Sequence, residues 1–324
     1  MNDLGGALRK GIAKFHAAIQ ALRSGSVPKS TVTAYGGIAG LLLLVLIGSL
    51  VWRNQQIVFI GGSAYDEDYG VYRLNLLWGK PLYLTSAHEA HSPEWSPDGR
   101  HIAYVSSSGP NGSPPYTIGV MNAYGRNKRL LTFGEVRCHD PAWSPDGKQI
   151  AYVQAAEYEG GSPMGLFVID SKGGEPRQIG PYAYYSYPSW SPDGRKIVFS
   201  NWYGIAVIDA DGSNYQMLTE NLGDSFPAWS KDGQYIAFSS FSESEDQFYD
   251  LYVMRADGSD VRRLTDTPAH ERFPSWSPDD RRIIFESNFE SEDVAIYHIY
   301  EVHTDGTGYR RLVEMQSGIP DWRP

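Results

Sequence analysis

The sequence predicts an all-β fold: a six-bladed β-propeller closed by N- and C-terminal strands sharing one blade, preceded by an amphipathic helix and one transmembrane helix. Three observations carry this. A Pro-x-Trp-Ser-Pro-Asp-Gly motif recurs from Pro93 to the last residues, an uncharged apolar run precedes it, and the 324 residues include 34 Gly, 20 Pro, 22 Tyr and 9 Trp. That mixture suits short strands joined by many tight turns.

The motif 93–99 recurs at 141–147 and 188–194. Altered copies are Pro227-Ala228-Trp229-Ser230-Lys231-Asp232-Gly233 and Pro274-Ser275-Trp276-Ser277-Pro278-Asp279-Asp280, and the chain ends on a sixth start, Pro320-Asp321-Trp322-Arg323-Pro324. The tryptophans are 48, 47, 39, 47 and 46 residues apart, the length of one four-stranded blade. In each unit a short strand ends at Trp, Pro presets the next turn, and Gly accepts its positive φ. An apolar second strand follows, as in Ile102-Ala103-Tyr104-Val105, then a third such as Leu251-Tyr252-Val253-Met254. A hairpin such as Asp257-Gly258 leads to a fourth at Arg262-Arg263-Leu264-Thr265. Asp98, Asp146, Asp193, Asp232 and Asp279 therefore read as turn-capping residues, and the tryptophans as packing between blades.

The ends account for the blade count. Residues 320–324 supply only a first strand, while 57–60, 70–74 and 81–85 supply a second, third and fourth. Joined, they complete a sixth blade and remove the edges an open sheet would expose.

The organisation that follows is 1–29 cytoplasmic, basic and amphipathic; 30–52 a signal-anchor helix; 53–324 the propeller. Ser30 to Trp52 is a 23-residue stretch without charge, roughly 34 Å of helix against a hydrocarbon core of about 30 Å. Residues 1–53 hold six Lys or Arg and one acid, which keeps the tail in the cytoplasm and puts the propeller on the periplasmic or extracellular side of a cell membrane. A cleaved signal peptide fits less well, because the leader is long and no A-x-A-like site follows the run. Leu4, Leu8, Ile12, Phe15, Ile19 and Leu22 form one helical stripe, suited to the inner leaflet or a partner helix. With a total charge of −10, the chain beyond residue 53 carries −15, which argues against nucleic acid as a partner. The single cysteine, Cys138, excludes an intrachain disulfide and favours a bacterial source.

The repeat, followed by Ile-Ala-Tyr/Phe and an Asp-Gly unit ending in Leu-Thr, resembles the propeller repeats of the TolB C-terminal domain over about 56–324. Propellers of dipeptidyl-peptidase-type enzymes carry similar repeats. The resemblance implies the fold, and a channel mouth used for protein docking. Two departures from TolB are expected: no α/β domain precedes the repeats, and an uncleaved span stands where TolB has a cleaved signal.

Loops between second and third strands, and between blades, emerge on one face, where a site is best sought. Asp66, Glu67 and Asp68, Glu243, Glu245 and Asp246, and Glu290, Glu292 and Asp293 form an acidic arc over blades four to six. A solvated face is the simpler account; a basic partner or Ca²⁺ is the functional one. Tyr182, Tyr184, Tyr185 and Tyr187 lead into blade three, whose short loop adds Trp202 and Tyr203, an aromatic patch suited to anchoring a partner. His88, His91, His139 and His270 lie in blade-to-blade loops, with His91 and His139 at one repeat position, side by side at the channel mouth. They are candidate ligands for a transition metal, although no HxH or HExxH pattern fixes them. No cofactor and no catalytic residue is assigned. The leading expectation is a membrane-anchored module that binds a protein or peptide, as an accessory subunit of a membrane complex. The alternative is a metal-dependent propeller lyase or hydrolase acting on an acidic saccharide or peptide through the loop histidines.

Overall fold

The apolar second strands set the architecture. Ile102 to Val105 and the matching runs 150–153, 197–199, 236–238 and 283–285 are buried along their whole length, as expected of strands covered on both faces. The computed structural model describes residues 55–324 apart from 63–68, 77–78, 87–89, 108–115, 135–136, 156–163, 184, 242–247 and 292–295. Among the described residues no helix is long and apolar enough to cross a membrane; the amphipathic segment and the span, at 1–29 and 30–52, lie outside them.

Six antiparallel four-stranded sheets form the domain. Blade six joins the two ends: β1 (Gln56–Gly61), β2 (Gly70–Asn75) and β3 (Leu82–Ser86) pair in order, and β24 (Ser317–Trp322) adds to the free side of β1. Blade one is β4 (His91–Trp95), β5 (His101–Ser107), β6 (Tyr116–Asn122) and β7 (Arg129–Leu130). Blade two (β8–β11) spans 137–183, blade three (β12–β15) 186–217, blade four (β16–β19) 225–263 and blade five (β20–β23) 271–311. The all-β, six-bladed, end-sharing ring read from the sequence is thus the fold.

The repeated Ser-Pro-Asp-Gly segments are closed turns. Asp98 Oδ1 accepts from Ser96 Oγ at 2.6 Å and from the Arg100 N–H, while Ser96 Oγ accepts from the His101 N–H. The same three bonds recur around Asp146, Asp193, Asp232 and Asp279. These aspartates serve the turns.

Each turn also abuts its neighbour. A Cβ placed on Gly147, Gly194 or Gly233 would lie 3.3 to 3.5 Å from the ring of Pro97, Pro145 or Pro192 in the preceding blade. Between blades four and five both partners change, to Lys231 and Asp280. The N–H that proline lacks, on Lys231, donates to Asp280 Oδ1 at 2.6 Å, and Asp232 N–H donates to Oδ2 at 2.9 Å. The two departures from the motif compensate each other. At the closing seam the neighbour of Gly99 is Arg323, which donates to the Gly99 carbonyl and to Gln56 Oε1 and lies over Trp95 at 5.1 Å.

A second set of links runs nearer the axis. Where the residue before the motif Trp is polar, its side chain accepts from the next blade's Trp backbone N–H: Glu94 from Trp143, Ser189 from Trp229, Ser275 from Trp322, Asp321 from Trp95. Where that residue is alanine, its carbonyl instead accepts the next indole N–H: Ala142 from Trp190 and Ala228 from Trp276. Every seam is therefore locked by one of two alternatives.

The Lys231 and Asp280 pairing is testable by a double-mutant cycle. Lys231→Pro and Asp280→Gly should each cost about 1–2 kcal/mol, because each leaves a polar group unpaired. The double variant should return close to the parent, with a coupling of about 1–3 kcal/mol in denaturant unfolding. Simple addition of the two costs would contradict compensation.

Candidate functional site

The inner strands carry a shared irregularity. In every blade the register slips beside the motif proline, and the residue before that proline has a left-handed backbone: Ser92, Asp140, Tyr187, Phe226, Phe273 and Ile319, with φ of 49 to 57°. None is glycine, so each costs roughly 1–2 kcal/mol, most for β-branched Ile319. All six line the central channel, which the bulges open into a cavity of about 250 Å³.

The channel is polarised. Blades three, four and five contribute Tyr187, Phe226 and Phe273, whose ring centroids lie 4.4, 4.2 and 5.4 Å apart pairwise. Opposite them stand Ser92 and Asp140, with Glu94 and Asp321 one step closer to the turns. Burial raises the Asp140 carboxyl to about 6, against the hydrogen bond it accepts from Tyr187 N–H. Burial raises Glu94 too, helped by repulsion from Asp321; burial likewise raises Asp321, and the Lys231 ammonium opposes both shifts. Lys231, which lines the channel, replaces the motif's second proline. Such a site can accept hydrogen bonds from a cation on one wall and pack an apolar group on the other.

Away from the inner strands, Trp202 and Tyr203 are 63% and 66% exposed in the turn joining the second and third strands of blade three. Asn201 shapes that turn: its Oδ1 accepts the Tyr203 and Gly204 N–H, and its Nδ2 donates to Tyr215 Oη at 2.7 Å. The aromatic patch read from the sequence divides here. Trp202 and Tyr203 face solvent, Tyr187 belongs to the channel, and Tyr185 is corrected to a core residue: it is 1% exposed and packs edge-on against Phe199. It precedes the bulge that begins after Ser186, and it packs in the cluster shared by blades two and three. Tyr182 lies in the outer strand of blade two; its side chain, and Tyr184, lie outside the described residues.

Of the acidic arc, Glu290 is described and exposed, at a φ of 63°. Glu243, Glu245, Asp246, Glu292, Asp293, Asp66, Glu67 and Asp68 lie outside the described residues, as does His88. His91 and His139 both pack on the Tyr116 ring, 5.6 and 5.5 Å from its centroid. Burial lowers His91 to about 4 and lowers His139 as well. His270 Nδ1 accepts from Tyr249 N–H at 3.3 Å, and its ring packs on Phe248. Among the described residues no group of three or more His, Cys, Asp or Glu is arranged to hold a metal ion. Cys138 is buried, with its thiol pushed up to about 11 by burial.

The channel residues Glu94, Asp140, Phe226, Lys231, Phe273 and Asp321 were not singled out in the sequence. Lys231 departs from the motif two after Trp229; the signal of the others is columnar, because the positions three and one before each motif Trp vary while the motif around them repeats.

The TolB beta propeller domain family matches this chain over residues 54–201 and 101–250, and the chain belongs to that family. Among solved structures it is similar to TolB from Acinetobacter baumannii, at 20% identity and a TM-score of 0.70, covering 88% of this chain and 72% of that one. A putative TolB from Agrobacterium tumefaciens is 22% identical with a TM-score of 0.61, covering 81% and 90%. An oligogalacturonate lyase in complex with manganese is 17% identical with a TM-score of 0.58, covering 80% and 74%. At these identities the likeness shows the fold. No curated protein matches.

The Asp140 environment has a measurable consequence. Its folded value lies above the unfolded one of about 3.9, so its contribution to stability is fully present below about pH 4 and is lost as pH rises through about 6. His91 runs the other way: its contribution is present above about 6.5 and lost as pH falls through about 4. Asp140→Asn isolates the first effect, since the amide can still accept from Tyr187 but does not titrate. Between about pH 7 and pH 4 the parent should gain roughly 1–3 kcal/mol on this variant. A pH-independent difference would contradict a buried carboxyl there.

Proposed function

We propose that the propeller is held outside a cell membrane by the 30–52 segment and docks a protein or peptide partner across its channel mouth, as an accessory subunit of a membrane complex. The observation that carries this is the polarised channel. An extended segment bearing a cation beside an apolar residue would place the cation toward Asp140, Glu94 and Asp321 and the apolar group against Tyr187, Phe226 and Phe273. The exposed tryptophan supplies an anchor at the rim. The lyase or hydrolase reading through His91, His139 and His270 has less support, because the first two pack on the Tyr116 ring and a backbone N–H engages the third.

Protease applied to intact cells or spheroplasts should digest residues beyond 60 and spare the N-terminus; the reverse pattern would contradict the topology. Trp202→Ala should weaken partner capture from solubilised membranes about 30-fold, a loss of ~2 kcal/mol. Charge reversal at Glu245 and Glu292 should mainly reduce the salt dependence of capture. Asp146→Asn, on the opposite turns, should leave capture unchanged. Stoichiometric Mn or Zn in the purified protein, lost in a His91→Ala, His139→Ala variant, would replace this reading with the enzymatic one.

A further inference from the structure

On the face carrying the Ser-Pro-Asp-Gly turns, arginines brace the seams between blades. The outer-strand residues paired with Val120, Val168 and Val253 are Arg129, Arg177 and Arg262. Each guanidinium crosses to the next blade and donates to a backbone carbonyl: Arg129 to Ser171, Arg177 to Ala210 at 2.9 Å (and to Asp211 at 3.4 Å), Arg262 to Thr304 at 2.7 Å. The three carbonyls are equivalent, because each of these residues gives its own N–H to the residue that follows the motif turn (Lys148, Arg195, Arg281). At the closing seam Arg73, from β2, donates to Ala123 in the same way at 2.8 Å.

Between blades three and four this brace is missing. Gln216 holds the arginine's place opposite Val207 and is exposed. Among the described residues no side chain reaches the equivalent carbonyl, that of Ala256, and a cleft of about 680 Å³ opens at the seam. The other unbraced seam supports the connection. Between blades five and six Arg310 turns back onto Glu301 at 2.6 Å, and a cavity of about 270 Å³ opens there. Both seams without the brace thus hold a cavity.

The cleft is fitted to what is missing. Pro192, Val207, Leu218 and Trp229 make an apolar wall, and Asp193, Asp232 and Asp257 stand along it. Hydrogen bonds from Ser191 and the Arg195 N–H hold the Asp193 carboxyl below its usual range, and those from Ser259 do the same for Asp257, so both are anionic at neutral pH. Lys196, which also borders the cleft, is paired with Asp209 at 2.8 Å. A long cationic side chain with an apolar stem meets both surfaces, and the planar fork of arginine also matches a carbonyl at the cleft.

We propose that the cleft between blades three and four docks an arginine side chain presented by a partner peptide, which takes in trans the place that Arg129, Arg177 and Arg262 take within the chain. The site is on the opposite face from the channel mouth and stands independently of the docking proposed there. The test is methyl NMR of the full chain, following Val207 and Leu218 during titration with acetyl-Gly-Arg-Gly-amide and with its neutral citrulline counterpart. Saturable shifts are expected with the arginine peptide, and at least tenfold weaker binding with citrulline. An Asp232→Asn, Asp257→Asn variant should bind the arginine peptide about tenfold more weakly, whereas Trp202→Ala should bind it unchanged. Gln216→Arg should abolish the shifts and raise the thermal midpoint, because the brace is restored. Absence of shifts in the parent, equal binding of the citrulline peptide, or undiminished binding to folded Gln216→Arg would overturn the assignment.

Discussion

The pairing of β24 with β1 is the constraint on which the rest depends. Six wedge-shaped sheets arranged about an axis leave two exposed edges unless the first and last meet, and here they meet within one sheet, with Ile57 opposite Trp322 and Val58 opposite Asp321. The pairing carries more than backbone bonds. Trp322 is fully buried, Arg323 ties Gln56 to Gly99, and Asp321 accepts from Trp95 N–H across the closing seam. With the ring shut, the six inner strands are held at fixed distances from the axis, and the strained residues before each motif proline are held facing the channel. The strain at those positions is tolerated because neighbours on both sides determine the backbone.

The scaffold is symmetric where it must fold and unequal where it can recognise. The turns built on Asp98, Asp146, Asp193, Asp232 and Asp279 are nearly interchangeable. The columns they frame are not. Aromatic residues gather on one side of the channel and carboxylates on the other, and two of those carboxylates, Glu94 and Asp321, also lock seams. The same side chains thus couple blade packing to channel charge, so a ligand that neutralises them would also act on the seams. Lys231 illustrates how a departure is accommodated. Losing the motif proline frees an N–H, Asp280 satisfies it, and the freed position delivers an ammonium to the channel.

Much of the fold was legible in the sequence because the signals are local and repeated. Pro-Asp-Gly turns, apolar second strands and the split sixth blade each follow from turn chemistry or from counting. The site was less legible. Tyr185 and Tyr187 look alike in the sequence, yet the bulge between them sends one into the core and the other into the channel, and nothing in their residue type announces this. His91 and His139 share a repeat position that the sequence shows, but the Tyr116 ring on which both pack comes from the third strand of blade one. Asp140 lies just before a motif copy and Asp321 at its variable position, so the repeat marks neither. The arginine braces were hidden for another reason. Their acceptors are backbone carbonyls, which leave no mark in the residue types that flank them.

The central claim is that recognition occurs on the loop-bearing face around the channel mouth. The most direct measurement is site-specific photocrosslinking in native membranes, with the reactive group placed at Tyr203 on that face and, separately, at Lys148 on the turn between the first and second strands of blade two. The account predicts a discrete crosslinked partner from position 203 that is not captured from position 148. The same partner captured from position 148 and absent at 203 would contradict it.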